Sequence, residues 1–355
     1  MTRKISITFT IGLIISIATV YLAFRNVPFA ALINYLLSIN YIWIIPTAAL
    51  ILIGFVIRAI RWQFILGSHQ RVSFRHAFHP LMIGFMINCV LPGRVGEVAR
   101  PAILKKKENV PFSTGLATVA AERVFDMGIL IILFIALFAQ MEIDPALGIP
   151  FGEYTLNSGT LNFVFKGLLK LSILLLAGIA LIILQPTRRA IAWCIKSIPD
   201  LFFFAGPKLT DKLQHRIAKP LLTMLDNIAA GLVLLKQPMR VVVCLLFSIV
   251  IWALHAFSYY IFALGCPGIA LSFFELTTVM VIICFFIALP SAPGYWGLWE
   301  AGGVFAMLLF GVSFNEAAGF TLANHAIQLF PVILVGLVSA MITGVNIWRV
   351  SFAKR

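Results

Sequence analysis

The chain has 355 residues, of which 61% are hydrophobic and 11% charged. A water-soluble domain of that size could not hide so much apolar surface, and several apolar runs exceed the ~18 residues that suggest a spanning helix. The formal charge of +14, from 27 basic and 13 acidic residues, therefore reads as the cytoplasmic bias of a polytopic membrane protein and not as a nucleic-acid footprint.

Arg3 and Lys4 precede an apolar run from Ile5 to Phe24. The run is too long for a signal h-region and lacks a small-x-small cleavage site, so it reads as an uncleaved first span leaving the cytoplasm. Residues 26–40 are a mixed, interfacial connection. Span 2, Tyr41 to Ile60, returns, with Arg58 and Arg61 marking its cytoplasmic end. The next apolar piece, His79 to Val90, is too short to cross a core of ~30 Å. Arg71 and Arg75 precede it and Lys105 to Lys107 follow it, so it enters and leaves on one side, as a re-entrant hairpin. Its break is Leu91 to Pro101, where Pro92, Gly93, Gly96, Arg94, Glu97 and Arg100 stand in place of a continuing helix. A broken helix in lipid frees backbone polar groups and is tolerated only inside protein or beside a water-filled cavity; a juxtamembrane loop is the plainer alternative.

Span 3 runs from Ser113 to Ala139. The stretch 140–160 has three acids and no base and is placed outside. Span 4, Leu161 to Leu184, returns to Arg188 and Arg189. In the cytoplasmic stretch 185–239, residues 208–235 have an apolar face and interleaved Lys208, Lys212, Arg216 and Lys219. That pattern suits a basic amphipathic helix on the membrane surface or on the bundle's own cytoplasmic face. Span 5 is Val241 to Leu264. A second broken segment follows, Phe273 to Val312, with Pro293, Gly294 and Gly297 at its break, and is placed as a hairpin entered from outside. Span 6, Phe320 to Ile347, returns to Arg349. By this placement 23 of the 27 basic residues are cytoplasmic or on the first hairpin, three are external and Arg123 lies in a span, which sets the orientation.

The predicted architecture is an all-α membrane domain over 1–355. It has about six spans, two hairpins and an inverted 3+3 repeat, with repeat one at 5–139 and repeat two at 161–347. The two breaks share the pattern Pro-Gly-x-x-Gly, and each is followed 26 or 27 residues later by a polar cluster: Glu122, Arg123 and Asp126 in one, Asn324, His325 and Gln328 in the other. Broken segments at matching places in two halves point to a transporter's central site.

Glu122 and Asp126 share a helix face, with Arg123 about 100° away. Charges at bilayer depth cost roughly 2.5–3.5 kcal/mol each on insertion scales, so Arg94 or Arg100 is expected to meet the two carboxylates. Such a network either pins the hairpin or binds an anionic headgroup, and the two roles are compatible. His325 reads as a packing histidine or a protonation switch. Trp296 and Trp299 read as anchors at the outer interface. His76 and His79 have no neighbouring acid or cysteine in sequence, so no metal site is expected. The five cysteines, none in a CxxC pair, read as packing residues.

Leu91 to Pro101, Glu122-Arg123-x-x-Asp126, and Pro293-Gly294 leading to Trp299-Glu300-Ala301 resemble the lysylphosphatidylglycerol synthase transmembrane region, or flippase-like, family. The resemblance implies two re-entrant hairpins and translocation of lipids or lipid-linked glycans. Carried over by position, it makes Arg94, Glu97, Arg100, Glu122, Arg123, Asp126 and Glu300 candidate functional residues, with Asn324 and His325 where members often have arginine. Synthase-type members add a cytoplasmic aminoacyltransferase domain; here a stand-alone member is expected. The leading expectation is a lipid translocase-like protein, not an enzyme, in the plasma (bacterial inner) membrane, with cytoplasmic termini. Its partner would be a phospholipid or lipid-linked glycan, and no cofactor or nucleic acid is expected. The rivals are an intramembrane lipid-modifying enzyme using Glu97, Glu122 and Asp126, and a non-transporting partner of such an enzyme.

Overall fold

The computed structural model describes residues 28–91, 94–139, 148–151, 154–157, 185–201, 213–223, 237–289 and 292–345. It adds residues 211 and 225 and scattered positions between 14 and 21 and between 159 and 181. Pro92 and Gly93, most of spans 1 and 4, and most of the amphipathic stretch 208–235 lie outside the described residues.

Helix α1 (Phe29–Ser38) occupies the expected connection. A 3₁₀ turn at Tyr41–Trp43 opens α2 (Ile44–Leu66). The first broken segment is α3 (Phe74–Val90) and α4 (Gly96–Glu108). Asn109 ends α4 in the left-handed conformation, φ 55°, as a C-terminal cap requires. α5 (Phe112–Ala139) follows. A small antiparallel hairpin, β1 (Gly148–Phe151) with β2 (Tyr154–Asn157), lies in the acidic connection after it. α6 (Gln185–Leu201) packs near a short π turn at Gln214–Ala218.

α7 (Pro238–Ala263) leads to the second broken segment, α8 (Phe273–Phe286) and α9 (Leu298–Leu309). Ser272 and Glu275 form a reciprocal capping box that starts α8, satisfying two otherwise orphaned donors. α10 (Phe314–Thr343) closes the described chain, capped by Ser313.

Among the described residues, three helices are long and apolar enough to cross a membrane: Tyr41–Leu66, Pro238–Ala263 and Phe314–Thr343. α5 is as long but carries Glu122, Arg123 and Asp126. At 1.5 Å per residue, α3, α4, α8 and α9 are about 26, 20, 21 and 18 Å long, all short of a ~30 Å core.

Among the described helices, α2 and α7 pack on each other most extensively. Around them the packing comes in matched pairs: α3 on α4 and α8 on α9; α4 on α5 and α9 on α10; α3 on α10 and α8 on α5; α2 on α3 and α7 on α8; α10 on α2 and α5 on α7. Ala59, Trp62, Leu81, Tyr259, Phe262, Leu276, Val304 and Phe320 are among the fully buried apolar residues that fill these contacts.

Several boundaries differ from the sequence reading. α2 continues to Leu66, so Arg58 and Arg61 lie within the helix and do not mark its end. α3 begins at Phe74, because Arg75 and His76 are tolerated in an exposed first turn. α9 begins at Leu298 directly after the break, and α10 begins at Phe314.

Candidate functional site

The mid-chain charges of α5 fall at one-turn steps that also carry Thr118, so Thr118, Glu122 and Asp126 present one face inward. Glu122 and Asp126 are 2% and 4% exposed. Two carboxylates at that depth require cations, and three helices supply them.

From α4, Arg100 Nη2 donates to Glu122 Oε2 at 2.7 Å. From α2, Arg61 Nη1 donates to Asp126 Oδ1 at 2.7 Å and lies 2.6 Å from Ser248 Oγ of α7, while its Nη2 is 3.6 Å from Glu122 Oε1. Arg58 Nη1 donates to Asp126 Oδ2 at 3.1 Å. Arg123 is 3.8 Å from Asp126 and its Nε is 3.1 Å from Glu97 Oε1.

Aromatic faces line the cluster. The Arg100 guanidinium sits 4.2 Å from the Trp62 ring centroid, a distance at which desolvated cation–π attraction is worth about 2 kcal/mol. Arg58, Arg100 and Arg123 are each 5.8 Å from the Phe85 ring of α3. Trp62 is itself fixed, with Nε1 donating to Thr118 Oγ1 at 3.0 Å.

Of the two arginines expected as alternative partners for the carboxylates, Arg100 is the one that meets them. Arg94 does not meet the carboxylates: it is exposed, and its Nη2 donates to the Ile287 carbonyl at the end of α8, at 3.0 Å. Arg123, although turned from the Glu122–Asp126 face, reaches back along α5 because a long guanidinium side chain spans one helical turn. Arg58 and Arg61 are the members that sequence reasoning missed. The positive-inside rule gave them a sufficient explanation at a span's end; their spacing on α2, three residues apart with Trp62 adjacent, was the available signal.

Among the described residues, the four guanidiniums of Arg58, Arg61, Arg100 and Arg123 stand against the three carboxylates of Glu97, Glu122 and Asp126, and Arg94 lies outside the ion pairs on the Ile287 carbonyl. Arginine stays protonated in proteins, so the ion-paired cluster has one guanidinium more than carboxylates, and Arg94 adds a second cation with no carboxylate partner. Arg61 Nε and Nη2 and Arg100 Nε have no hydrogen-bond acceptor. The interior members Arg61 and Arg100 are closed off, whereas Arg123 and Glu97 keep 30% and 25% of their side chains exposed. The cluster thus has a sealed core and an open, cationic edge.

That edge is where the two broken segments meet. Gly96 follows the first break at a point where α3 and α4 touch: its N–H donates to Asn88 Oδ1 at 2.8 Å, and a Cβ there would overlap the Gly84 carbonyl. At the second break Gly294 and Gly297 take φ of 69° and 89°, values that L side chains rarely adopt. Arg94 and Tyr295 are the residues after Pro-Gly in their respective motifs, and both are left-handed, at φ 54° and 64°. The Arg94 guanidinium lies 6.0 Å from the Tyr295 ring centroid.

Behind the second break, Glu300 of α9 is fully buried and its Oε2 accepts from the Gly297 N–H at 2.6 Å. Its Oε1 lies 2.5 Å from His325 Nδ1 on α10, and His325 Nε2 lies 2.8 Å from the Gly294 carbonyl. Trp299 stacks on the imidazole at 4.6 Å, and Trp296 leans on it at 4.4 Å. These tryptophans therefore clamp His325; Trp299 is buried, which corrects its reading as an interface anchor, while Trp296 keeps about a third of its surface exposed. Asn324 and Gln328 face α7 instead, where Gln328 Nε2 donates to Ser258 Oγ at 2.9 Å and lies 3.4 Å from Asn324 Oδ1.

At the open end of the first segment, His76 pairs with Glu108 of α4 at 2.8 Å, an acid that sequence distance had hidden. No group of three metal-ligating side chains occurs among the described residues. All five cysteines are free. Cys244 and Cys266 are buried, Cys89 and Cys284 half-buried, and Cys194 is exposed and not the packing residue expected.

Three relatives frame this geometry. Over 322 residues the chain is 26% identical to a UPF0104 membrane protein of Methanothermobacter thermautotrophicus, covering 87% of this chain and 84% of the relative. Over 296 residues it is 24% identical to the UPF0104 membrane protein PH1989 of Pyrococcus horikoshii, covering 80% and 82%. It is also 26% identical over 196 residues to Glycosyltransferase AglD of Haloferax volcanii, a match that takes in 51% of this chain but 31% of that protein's length. No solved structure matches. The family model for the lysylphosphatidylglycerol synthase TM region matches residues 9–336, nearly the whole chain, and the chain belongs to that family.

Proposed function

We propose that the chain is a lipid translocase-like membrane protein. In this reading the anionic headgroup of a phospholipid or lipid-linked glycan passes between the tips of two re-entrant hairpins while its acyl chains stay in the bilayer. The observation that carries it is the pair of uncompensated guanidinium charges beside the point where the tips touch. Charge-assisted hydrogen bonds to phosphate oxygens are the strong kind, and Arg94 and Arg123 present free donor capacity at the exposed edge. The sealed core, Arg61 and Arg100 against Glu122 and Asp126, would hold that edge in register. The matched packing pairs and the shared left-handed residue after each Pro-Gly support an inverted 3+3 repeat with opposite entry sides. In that arrangement the four limbs are the elements free to part.

The full-length protein in liposomes tests this, with dye-labelled phosphatidylglycerol followed by quenching of outer-leaflet dye. Wild type should move the lipid, and Arg94→Ala should slow it about tenfold or more, the loss of one hydrogen bond to a charged group. Failure to move any anionic or glycosylated lipid above protein-free vesicles would overturn the reading.

The likeness to AglD favours one alternative, that of a membrane partner for a lipid-modifying enzyme. That role needs no translocation, so the same vesicles separate the two.

A further inference from the structure

The two hairpins are tied down by different chemistry. In the first, α4 is held to α5 by Arg100 and Glu122, and the arginine keeps its charge at any physiological pH. In the second, α9 is held to α10 by Glu300 and His325, a pair of side chains that can gain or lose a proton between them.

We infer that the Glu300–His325 pair is a proton-binding site whose occupancy decides whether the second hairpin's tip is docked on α10. This rests on the translocase reading and adds to it a coupling ion, the proton.

The hydrogen-bond inventory leads there. The Gly294 carbonyl only accepts, so His325 Nε2 must carry a hydrogen to make its 2.8 Å contact. The other nitrogen, Nδ1, lies 2.5 Å from Glu300 Oε1. One further proton must lie between them, on the imidazole or on the carboxyl. Without it, a nitrogen lone pair would face a carboxylate oxygen at that distance and the contact would open.

The same carboxyl caps Gly297 and the same imidazole holds Gly294. Losing the shared proton opens the Nδ1–Oε1 contact alone, so the imidazole that holds Gly294 and the carboxyl that caps Gly297 are no longer tied to each other across the break. Gaining it closes the pair between Trp296 and Trp299, whose ring faces suit a cationic imidazolium. One proton enters or leaves and no electrons move. Docking passes to the first hairpin through Tyr295 and Ile287, which meet Arg94.

Among the described residues no hydrogen bond or ion pair joins the other ionisable groups on the elements around α10 to the pair, and the Tyr35 and Tyr259 hydroxyls are buried without a hydrogen-bond partner. Tyr35 of α1 lies against Gly319. Arg58 and Arg61 of α2 are held by Asp126. His79 of α3 bonds Ser339, whereas Cys89 nears Gly294 through its backbone carbonyl. His255 of α7 lies edge-on to Trp252 and Tyr259. Glu316 of α10 bonds Ser313. Among the described residues, Glu300 is the one charged side chain within ion-pairing distance of His325.

Two readouts on full-length protein in vesicles test this. Tryptophan emission, titrated from pH 5 to 8.5, should show a one-proton transition in wild type that is missing from His325→Gln. It should also be missing from Glu300→Gln, whose amide can donate to Nδ1 and accept from Gly297, mimicking the loaded pair and preserving the fold. An imposed pH gradient should change the wild-type rate of lipid movement about fivefold or more, the low end of site-to-site coupling, and leave Glu300→Gln unresponsive. No emission transition in wild type, or the same one in both variants, overturns the site. Lipid movement indifferent to the gradient overturns the coupling. If wild type moves no lipid, the translocase reading itself fails, and the emission titration still decides the proton site.

Discussion

Asp126→Ala is the sharpest perturbation of the buried cluster. Asp126 accepts from Arg61 at 2.7 Å and Arg58 at 3.1 Å, with Arg123 at 3.8 Å, so its loss removes the counter-ion that three guanidiniums share. Arg61 has no exposed side-chain surface and no second anionic acceptor of equal quality, since Ser248 Oγ at 2.6 Å is neutral and Glu122 is 3.6 Å away and already engaged by Arg100. Removing one partner of a buried pair costs about 3–5 kcal/mol, because the other is left charged and dry. Asp126→Asn keeps the acceptor oxygen and the volume but not the charge, and should cost about 1.5–3 kcal/mol, the range for hydrogen bonds to charged groups.

Arg61→Met in the Asp126→Ala background should be partly compensatory, with the double variant more stable than the sum of the single ones by about 2 kcal/mol. Unfolding in mixed micelles by added dodecyl sulfate, followed by tryptophan emission, measures all four proteins. If Asp126→Ala costs less than about 1 kcal/mol, the value of a solvent-screened surface pair, or if the two changes simply add, the cluster is not a sealed ionic core.

Gly96→Ala drives a methyl into the Gly84 carbonyl and should destabilise by about 1–3 kcal/mol, the usual cost of overpacking, or abolish expression; an unchanged unfolding midpoint would count against the close contact of α3 and α4. Arg94→Ala should leave the unfolding midpoint within about 0.5 kcal/mol of wild type, as exposed sites do, while slowing lipid movement; a large stability loss would recast Arg94 as a structural residue. Single cysteines at Ser68, before α3, and Ser313, between α9 and α10, should react with an impermeant maleimide from opposite sides of sealed vesicles, and reaction from one side would remove the inverted arrangement.

The sequence made one half of the site plain and obscured the other for physical reasons. Three charges inside an apolar helix are costly enough to announce a network, and Arg100 was recognisable as a partner because the break lies next to it. Arg58 and Arg61 were hidden by their place in the chain. Basic residues near the end of an apolar run already have an explanation in membrane orientation, and only α2's continuation to Leu66 shows them to be interior. The buried Trp299 of the second break was misread for a similar reason. Trp near a span's end belongs at an interface, unless a break carries it inward, as the left-handed Gly294, Tyr295 and Gly297 do here. Short limbs and matched Pro-Gly motifs were legible because helix length and backbone punctuation are local properties. Which tip residue meets which depends on how the two halves dock, and local pattern carries no trace of that.

The central claim is that a headgroup passes between the hairpin tips, and joining the tips tests it most directly. Cysteines in place of Arg94 and Tyr295, whose side chains now face each other across 6.0 Å, can be linked by a reducible bifunctional thiol reagent in vesicles that hold labelled lipid. Linked protein should move lipid no faster than protein-free vesicles, and reduction should restore the rate of the unlinked double variant. Linked protein that moves lipid as fast as unlinked protein would contradict a path between the tips.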